Sequence, residues 1–330
     1  MGGTPLSERP AVSPHPPAES KPAPASTATP PASLRVSVVV PSFNQARFLP
    51  ATLDSLLGQA EEPSSSLEVI VIDGQSTDGS IDVLERYRQH LERLGGRVVI
   101  EPDTGQSHAI NKGLRLATGD VVGWLCSDDT LLPGAIDTVR RGFAEHPDTD
   151  WLAGAVVMTD VAGRPIETLA PGGDFTLPGV LIHRAERGFE LPQPGVFWRR
   201  SLHDELGWLR EDLQHCFDFE WWLRLIASGR SPRLIDTTLA TYRLHDQSKT
   251  CSAATKFLRE HLIVEPAYAQ RLPRPERLQA MRRLAYYRRR TALREMRERG
   301  RSAWPLVIRH PWWLASQQVR GALRDGRRAA

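Results

Sequence analysis

The chain has 330 residues, of which 40% are hydrophobic and 25% charged, a soluble composition that excludes a wholly disordered, collagen-like or multi-span membrane protein. Its formal charge of +3 conceals a division: from Cys251 onward 19 Lys+Arg stand against 6 Asp+Glu, leaving 23 basic and 33 acidic side chains in residues 1–250. Such asymmetry predicts two regions that face different partners, the basic one facing a polyanion.

Residues 1–33 hold nine prolines among Ala, Ser and Thr. They lack the apolar core of a signal peptide and read as a disordered leader. Cys126, Cys216 and Cys251 are too few and too scattered for a disulfide framework or a thiol metal site, and read as plain thiols of a reducing compartment. Nowhere are there the roughly 18 continuous apolar residues of a spanning helix. The protein is expected in the cytoplasm.

From Leu34 the pattern is regular. Arg35–Pro41, Leu67–Asp73, Arg97–Glu101 and Asp120–Ser127 are short β-branched runs of the kind buried in a parallel sheet. Ala46–Leu57, Gly79–Leu94 and Gln106–Ala117 between them have helical apolar spacing. This alternation predicts a right-handed α/β sheet whose ligand crevice lies at the carboxyl ends of the strands. Further on, Trp151–Asp160, Gly195–Arg200 and Arg233–Thr241 read as strands and Phe217–Ser228 as a helix.

Chemistry is therefore sought at the strand ends. The first strand is followed by Pro41-Ser42-Phe43-Asn44-Gln45 instead of the glycine fingerprint of a dinucleotide site; this turn has one ring and small hydrogen-bonding groups suited to a nucleobase. The second ends in Asp73-Gly74-Gln75-Ser76, where a carboxylate can accept a base imide N–H. Asp78 and Ser76 serve equally well as caps of the next helix. The fourth ends in Asp128-Asp129. Adjacent carboxylates leaving a buried strand repel each other, and a hard divalent cation resolves the conflict.

Together, VVVPSFNQARFLPATLDSLLGQ, LEVIVIDGQSTDGS, EPDTGQSHAINKGLRLATGD and GWLCSDD resemble the family 2 glycosyltransferases, inverting nucleotide-sugar enzymes, over about Val36 to Thr250. The resemblance implies a GT-A type, Rossmann-like mixed sheet flanked by helices over residues 34–250, with a helical basic extension over 251–330. It also implies a nucleoside-diphosphate sugar donor, a glycan or lipid-linked hydroxyl acceptor, and Mn²⁺ or Mg²⁺. Pro41, Ser42, Phe43, Asn44, Asp73, Gly74 and Ser76 would then hold the nucleotide. Gln106, Asn111, Asp128 and Gln193 would complete the donor pocket, and Asp129, Asp128 and His245 the metal shell. Many relatives carry an Arg where Ile110 stands, so its contact comes from Gln106, His108 or Lys112, or is absent. Cys216-Phe217-Asp218-Phe219-Glu220 resembles in part the start of the family's catalytic helix, Phe217 standing where relatives have an acid, with Asp218 as general base and Glu220 as rival. An acid in the first turn of a helix is also simply favourable there. Arg243 or Lys249 would neutralise the diphosphate, while His108, His183 and His215 are left to structural roles.

Beyond Thr250 the arginines at helical spacing in 274–301 and the tryptophans of 303–314 suit an interfacial helix on anionic lipid, so 274–314 is the expected contact with the inner face of the membrane. An arginine-rich solvated helix packed back on the domain fits the same pattern. Two other classes remain: a nucleotidyltransferase consuming a nucleoside triphosphate, and a non-enzymatic membrane or nucleic-acid adaptor. The adaptor leaves the four acids Asp73, Asp128, Asp129 and Asp218 without a purpose, and no nucleic-acid partner is expected.

Overall fold

The computed structural model describes residues 34–59, 66–184, 188–246, 248–249 and 254–298. The expected leader and the aromatic stretch 303–314 lie outside the described residues.

Strands β1 (Val36–Ser42) and β2 (Leu67–Asp73) are buried at every position, as expected of parallel strands covered on both faces. Their pairing runs in register from Val36 opposite Leu67 to Ser42 opposite Asp73, so these two polar residues emerge side by side at the carboxyl ends. The one acid inside β2, Glu68, is buried but not orphaned. It accepts hydrogen bonds from the Ser37 hydroxyl at 2.5 Å and the Thr118 backbone N–H at 2.7 Å, as a buried polar group requires.

Strand β3 (Arg97–Ile100) adds to β2 and β4 (Val121–Trp124) to β1, all parallel. Helices α1 (Leu49–Leu57) and α2 (Ser80–Arg93) cover one face, their leucines packing with Val38, Val40, Val69 and Val71. Helix α3 (Gln106–Leu116) covers the other, with Ala109, Ile110 and Leu114 against Val39, Ile70 and Ile72. Alternate residues of each strand thus serve different helices. Strand order 3-2-1-4 reverses direction at β1, the switch point at which open α/β sheets bind ligands.

The parallel pattern ends at β4. There follow β5 (Thr130–Leu131), α4 (Ala135–Glu145), β6 (Trp151–Thr159), β7 (Pro165–Leu169), a small ribbon of β8 (Gly172–Gly173) with β9 (Phe189–Glu190), and β10 (Val196–Arg199). Helices α5 (Leu202–Leu206) and α6 (Phe217–Ala227) precede β11 (Arg233–Arg243). Strand β10 runs antiparallel to both β4 and β6, so the nine-stranded main sheet among the described residues is mixed. Sequence pattern misses α4, which begins after Pro133-Gly134 and carries Gly142, both of which weaken a helical reading.

Under the carboxyl ends lies a platform of indoles. Trp222 of α6 stacks on Trp124 at 5.9 Å and on Trp151 at 5.6 Å, aromatic contacts worth about 0.5–1.5 kcal/mol each beyond their buried area. The chain then continues into α7 (Ala254–Ala269) and α8 (Arg274–Glu298). Val264, Tyr268, Leu272 and Leu284 from this pair are buried in the same core as Trp124, Trp151 and Trp222. The helices pack onto α6, so the start of the basic region contributes side chains to this core. No described helix is long and apolar enough to cross a membrane.

Candidate active site

A cavity of about 740 Å³ opens at the carboxyl ends of β1 and β4. Pro41, Ser42, Phe43 and Gly74 line one end, and the Phe43 ring is 60% exposed there, an apolar surface with nothing to cover it. A side chain at Gly74 would meet Asp103 Oδ2 at 2.5 Å and the Phe43 ring at 3.2 Å, so only glycine lets the backbone lie this close.

Asn44, Asp73 and Ser76 are placed behind this wall, not in it. Asp73 is fully buried and accepts from the Ser42 hydroxyl (2.8 Å), the Ser76 N–H (2.7 Å) and the Ser76 hydroxyl (2.8 Å). Asn44, held at φ 53°, accepts from the Thr77 N–H, and its own N–H donates to the Ser76 hydroxyl. Asp78 accepts from the Ala46 N–H and from the Ser80 hydroxyl and N–H. These groups fix the two turns against each other, and Ser42 and Gly74 present the surface.

The acid pair enters from β4. Asp129 is 1% exposed, and its Oδ1 accepts the Arg243 N–H at 2.8 Å. Burial, with the adjacent Asp128 charge, pushes the Asp129 carboxyl well above its ordinary range, as expected of two acids sharing a buried site. His245 Nε2 lies 2.8 Å from Asp128 Oδ2, and its ring packs on Phe48 at 4.7 Å. It therefore backs Asp128 from outside the cavity.

The Cys126 thiol, Asp128 and Asp129 bring ligand atoms within 4.8 Å of one another. Burial and the two acids push the Cys126 thiol up, and its sulfur is a softer donor than the carboxylates. The two adjacent carboxylates are a donor set that fits hard Mn²⁺ or Mg²⁺.

The opposite wall is the start of α6. Asp218 lines the cavity, and its Oδ1 accepts the Phe219 N–H at 2.6 Å. Burial raises its carboxyl above the ordinary range, against the pull of that bond and of the charges on His261 and Lys249. Glu220, the rival, is buried facing away from the cavity. It pairs with Arg224 and accepts the Tyr268 hydroxyl at 2.6 Å, so Asp218 is the acid available for chemistry.

The turn before α6 has no local cap. Glu260 of α7 supplies one from 44 to 46 residues away, accepting the N–H groups of Gln214 (2.9 Å), His215 (2.8 Å) and Cys216 (2.8 Å).

Asn111 and Arg243 also lie outside the cavity wall. Asn111 does not reach the cavity: its amide is consumed by the Leu209 N–H and C=O and by Glu211, tying α3 to the loop before α6. Arg243 turns away from it, its Nε donating to the Asp128 C=O and its Nη1 to the Val161 C=O. Lys249 lines the cavity instead, Nζ donating to the Gln214 C=O at 2.9 Å, with burial pulling its ammonium pKa down. Of the substitutes for the missing Arg, Gln106 lines the cavity and donates to Cys126 Sγ at 3.2 Å. Lys112 is tied to Glu101 and His108 to Thr104, while Ile110 is core. Gln193 lines the cavity as expected, donating to the Trp124 C=O at 2.8 Å.

Sequence reasoning missed Cys126, His215 and Phe257, all of which line the cavity. Cys126 stands two residues before Asp128 at a strand end, a position that was legible. His215 precedes Asp218 by three residues, and its Nδ1 has no partner among the described residues. Phe257 comes from α7 and has no local signal.

The model for glycosyl transferase family 2 matches residues 37–168. A relative in Bacillus subtilis (strain 168), named for teichuronic acid biosynthesis as glycosyltransferase TuaG, is 38% identical over 218 residues, 64% of this chain and 80% of the relative. A PGL/p-HBAD biosynthesis glycosyltransferase of Mycobacterium bovis (strain BCG / Pasteur 1173P2) is 33% identical over 176 residues, 52% of this chain. The chain spans 61% of the length of that relative. Among solved structures, S. aureus TarS 1–349 in complex with UDP-GlcNAc superposes with a TM-score of 0.58 at 20% identity, over 77% of this chain and 72% of that one. The mannosyltransferase PcManGT of Pyrobaculum calidifontis, in complex with GDP-Man and Mn²⁺, gives 0.56 at 19% identity, over 90% and 86%. Both likenesses are of fold, the GT-A arrangement of a mixed sheet flanked by helices. With a relative 38% identical of which it covers four fifths, and a family model over residues 37–168, the chain belongs to glycosyl transferase family 2.

Proposed function

We propose that the protein transfers a sugar from a nucleoside-diphosphate sugar to a hydroxyl acceptor with inversion, in the building of a cell-envelope glycan. One observation carries this reading: the acid pair Asp128–Asp129 and the isolated acid Asp218 face one cavity from different walls, with an exposed ring at its far end.

Phe43 offers a face on which a base can stack, while Gly74 lets the nucleotide approach the backbone. Mn²⁺ or Mg²⁺ would be held by Asp129 and Asp128, with His245 behind, and would supply Lewis-acid charge to the leaving diphosphate. Lys249 is the cation of the chain's own that lines the same space. Asp218 accepts the proton of the acceptor hydroxyl as its oxygen bonds to the anomeric carbon. The bond from that carbon to the diphosphate breaks, and the electron pair leaves with the nucleotide. A carboxylate with a raised pKa is better matched to this task than an ordinary one.

The names of the relatives support an envelope glycan, free or lipid-linked, as acceptor. The exposed Arg274, Arg277, Arg282 and Arg288 of α8, with exposed Leu278 and Met281 among them, support peripheral contact with an anionic membrane surface.

A panel of nucleotide sugars and nucleoside triphosphates, screened with Mn²⁺ by thermal melting and then by turnover, tests the reading. A nucleoside-diphosphate sugar should stabilise the protein, and Asp129→Ala should lose the metal-dependent part of that shift. Asp218→Asn should keep the shift and lose transfer by about 10²–10⁴-fold. In the wild type kcat/KM should rise with pH along a limb above the ordinary carboxylate range, because the base works only when deprotonated; the limb should vanish in Asp218→Asn. Normal turnover in either variant, or stabilisation by triphosphates with release of pyrophosphate, overturns the assignment.

A further inference from the structure

Beside the main cavity lies a second one of about 320 Å³. The two share Glu190, His215, Asp218 and Phe257, so the base stands on the boundary between them. The donor's metal and base contacts belong to the larger space. The smaller one also reaches Asp218, and the attacking hydroxyl must lie within reach of the base.

Its walls are built from three distant segments. Phe219 and Trp222 come from α6, Phe189 and Leu191 from β9 and the loop after it, and His261 from α7. The rings brace one another: His261 meets Phe219 at 4.4 Å and 64°, and Phe189 stands edge-on to Phe219 at 6.2 Å and 85°. Ionisable side chains stand among the rings: Arg184, Glu190, His215, Asp218 and His261. The Arg184 guanidinium lies 5.1 Å from the centre of the Phe219 ring, and Glu190 faces in from the shared rim.

Arg184 is held in place by Glu265, which is 1% exposed, at 3.2 Å. The same carboxylate holds His261 Nδ1 at 3.1 Å and Arg283 at 3.0 Å. One buried carboxylate thus anchors two lining residues, leaving the guanidinium fixed but with charge to spare for a ligand.

Pockets that bind small molecules are mostly apolar and aromatic with a few placed polar groups, and run from about 300 to 1,000 Å³. At the low end of that range, this one has room for about one ring. A pyranose matches the lining: its C–H face is apolar, and its rim of hydroxyls can donate to a carboxylate while accepting from a guanidinium. We propose that this cavity is the acceptor subsite and takes the terminal pyranose of a glycan, with one hydroxyl at Asp218 and the others at Arg184 and Glu190. The proposal rests on the assignment of Asp218 as base. It makes the basic C-terminal region part of acceptor recognition through His261, Phe257 and the anchor Glu265.

The test pairs the stabilising nucleotide sugar with methyl hexopyranosides and simple phenols as acceptors, in the wild type, Arg184→Gln and Leu191→Trp. Transfer to at least one pyranoside is expected in the wild type. Arg184→Gln should raise the KM for that pyranoside at least tenfold, and Leu191→Trp, which fills the cavity, should abolish transfer. Nucleotide-induced melting shifts should be retained in both. Should Leu191→Trp not fold, Arg184→Gln decides alone, since Arg283 still neutralises Glu265. An unchanged acceptor KM in Arg184→Gln, or use of phenols but no pyranoside, overturns the subsite while leaving the glycosyl transfer standing. A wild type that binds no nucleotide sugar overturns the function itself, and the subsite falls with it.

Discussion

The two faces of the helix pair α7–α8 carry opposite chemistry. Outward, arginines dominate: Arg274, Arg277, Arg282, Arg288 and Arg290 are exposed. Inward, the charges facing the domain include carboxylates, Glu260 on the turn before the base and Glu265 between Arg184, His261 and Arg283. The region as a whole is strongly basic, yet at the active site it acts as an acid. Net charge describes its surface, and the side chains that matter to catalysis are the minority that the total conceals. A basic stretch appended to an acidic domain is thus no separable module, because each part places its rarer charge in the other.

Removing residues 251–330 breaks this comparison most severely. If the region were an attachment, the remaining domain would stay folded and would still bind donor. Val264, Tyr268, Leu272 and Leu284 are each at most 6% exposed, and burying such side chains stabilises by about 1.5–3 kcal/mol apiece. Their loss, roughly 6–12 kcal/mol, is of the size of the whole stability of a typical domain. The truncated chain should therefore lose its cooperative thermal transition, with near-UV circular dichroism lost in parallel. A truncated chain that melts within a few degrees of the wild type refutes the integration argued above.

A smaller effect is expected at Glu260. Hydrogen bonds to a charged group contribute about 1.5–3 kcal/mol, and a donor left unsatisfied costs about 1–3 kcal/mol. Glu260→Ala leaves three N–H groups without their acceptor, though nearby solvent recovers part of that loss because Glu260 itself is half-buried. The turn that aims Asp218 should loosen. We expect kcat to fall roughly tenfold or more, about 1.4 kcal/mol in the barrier, with the donor KM within about twofold and Glu260→Gln intermediate because one oxygen still accepts. Steady-state kinetics on both variants, beside their melting curves, separate aiming from bracing. A lowered melting temperature at wild-type kcat would leave Glu260 a mere brace.

That the ends of β1, β2 and β4 line one cavity was legible because the signal is local. Pro41–Phe43, Gly74 and Asp128–Asp129 follow apolar strands directly, and a parallel register puts strand ends together. Even there the sequence could not separate surface from support: Asp73 and Ser76 look like ligand groups, but each is already hydrogen-bonded behind the wall. The base wall is another matter. Asp218 was readable from its helix start, whereas its cap Glu260 and its neighbours Phe257 and His261 come from a helix across the intervening β11. No periodicity or spacing carries contacts made across such an interval. The total charge of that helix pointed outward, away from them.

The outward arginines give the mildest and most separable effect. Each basic side chain near an anionic bilayer contributes about 1 kcal/mol to binding, roughly fivefold, and salt screens it within a Debye length of about 8–10 Å. Arg277 and Arg282 are exposed, contact no part of the cavity wall, and flank exposed Leu278 and Met281. Arg277→Gln should weaken co-sedimentation with phosphatidylglycerol vesicles about fivefold, Arg277→Gln with Arg282→Gln about 25-fold, and added salt should erase the difference. Turnover of a soluble acceptor should be unchanged in both, as the inward face is untouched. If the wild-type protein ignores the vesicles, the arginine face has no lipid partner; if turnover falls with lipid binding, the two faces are not independent.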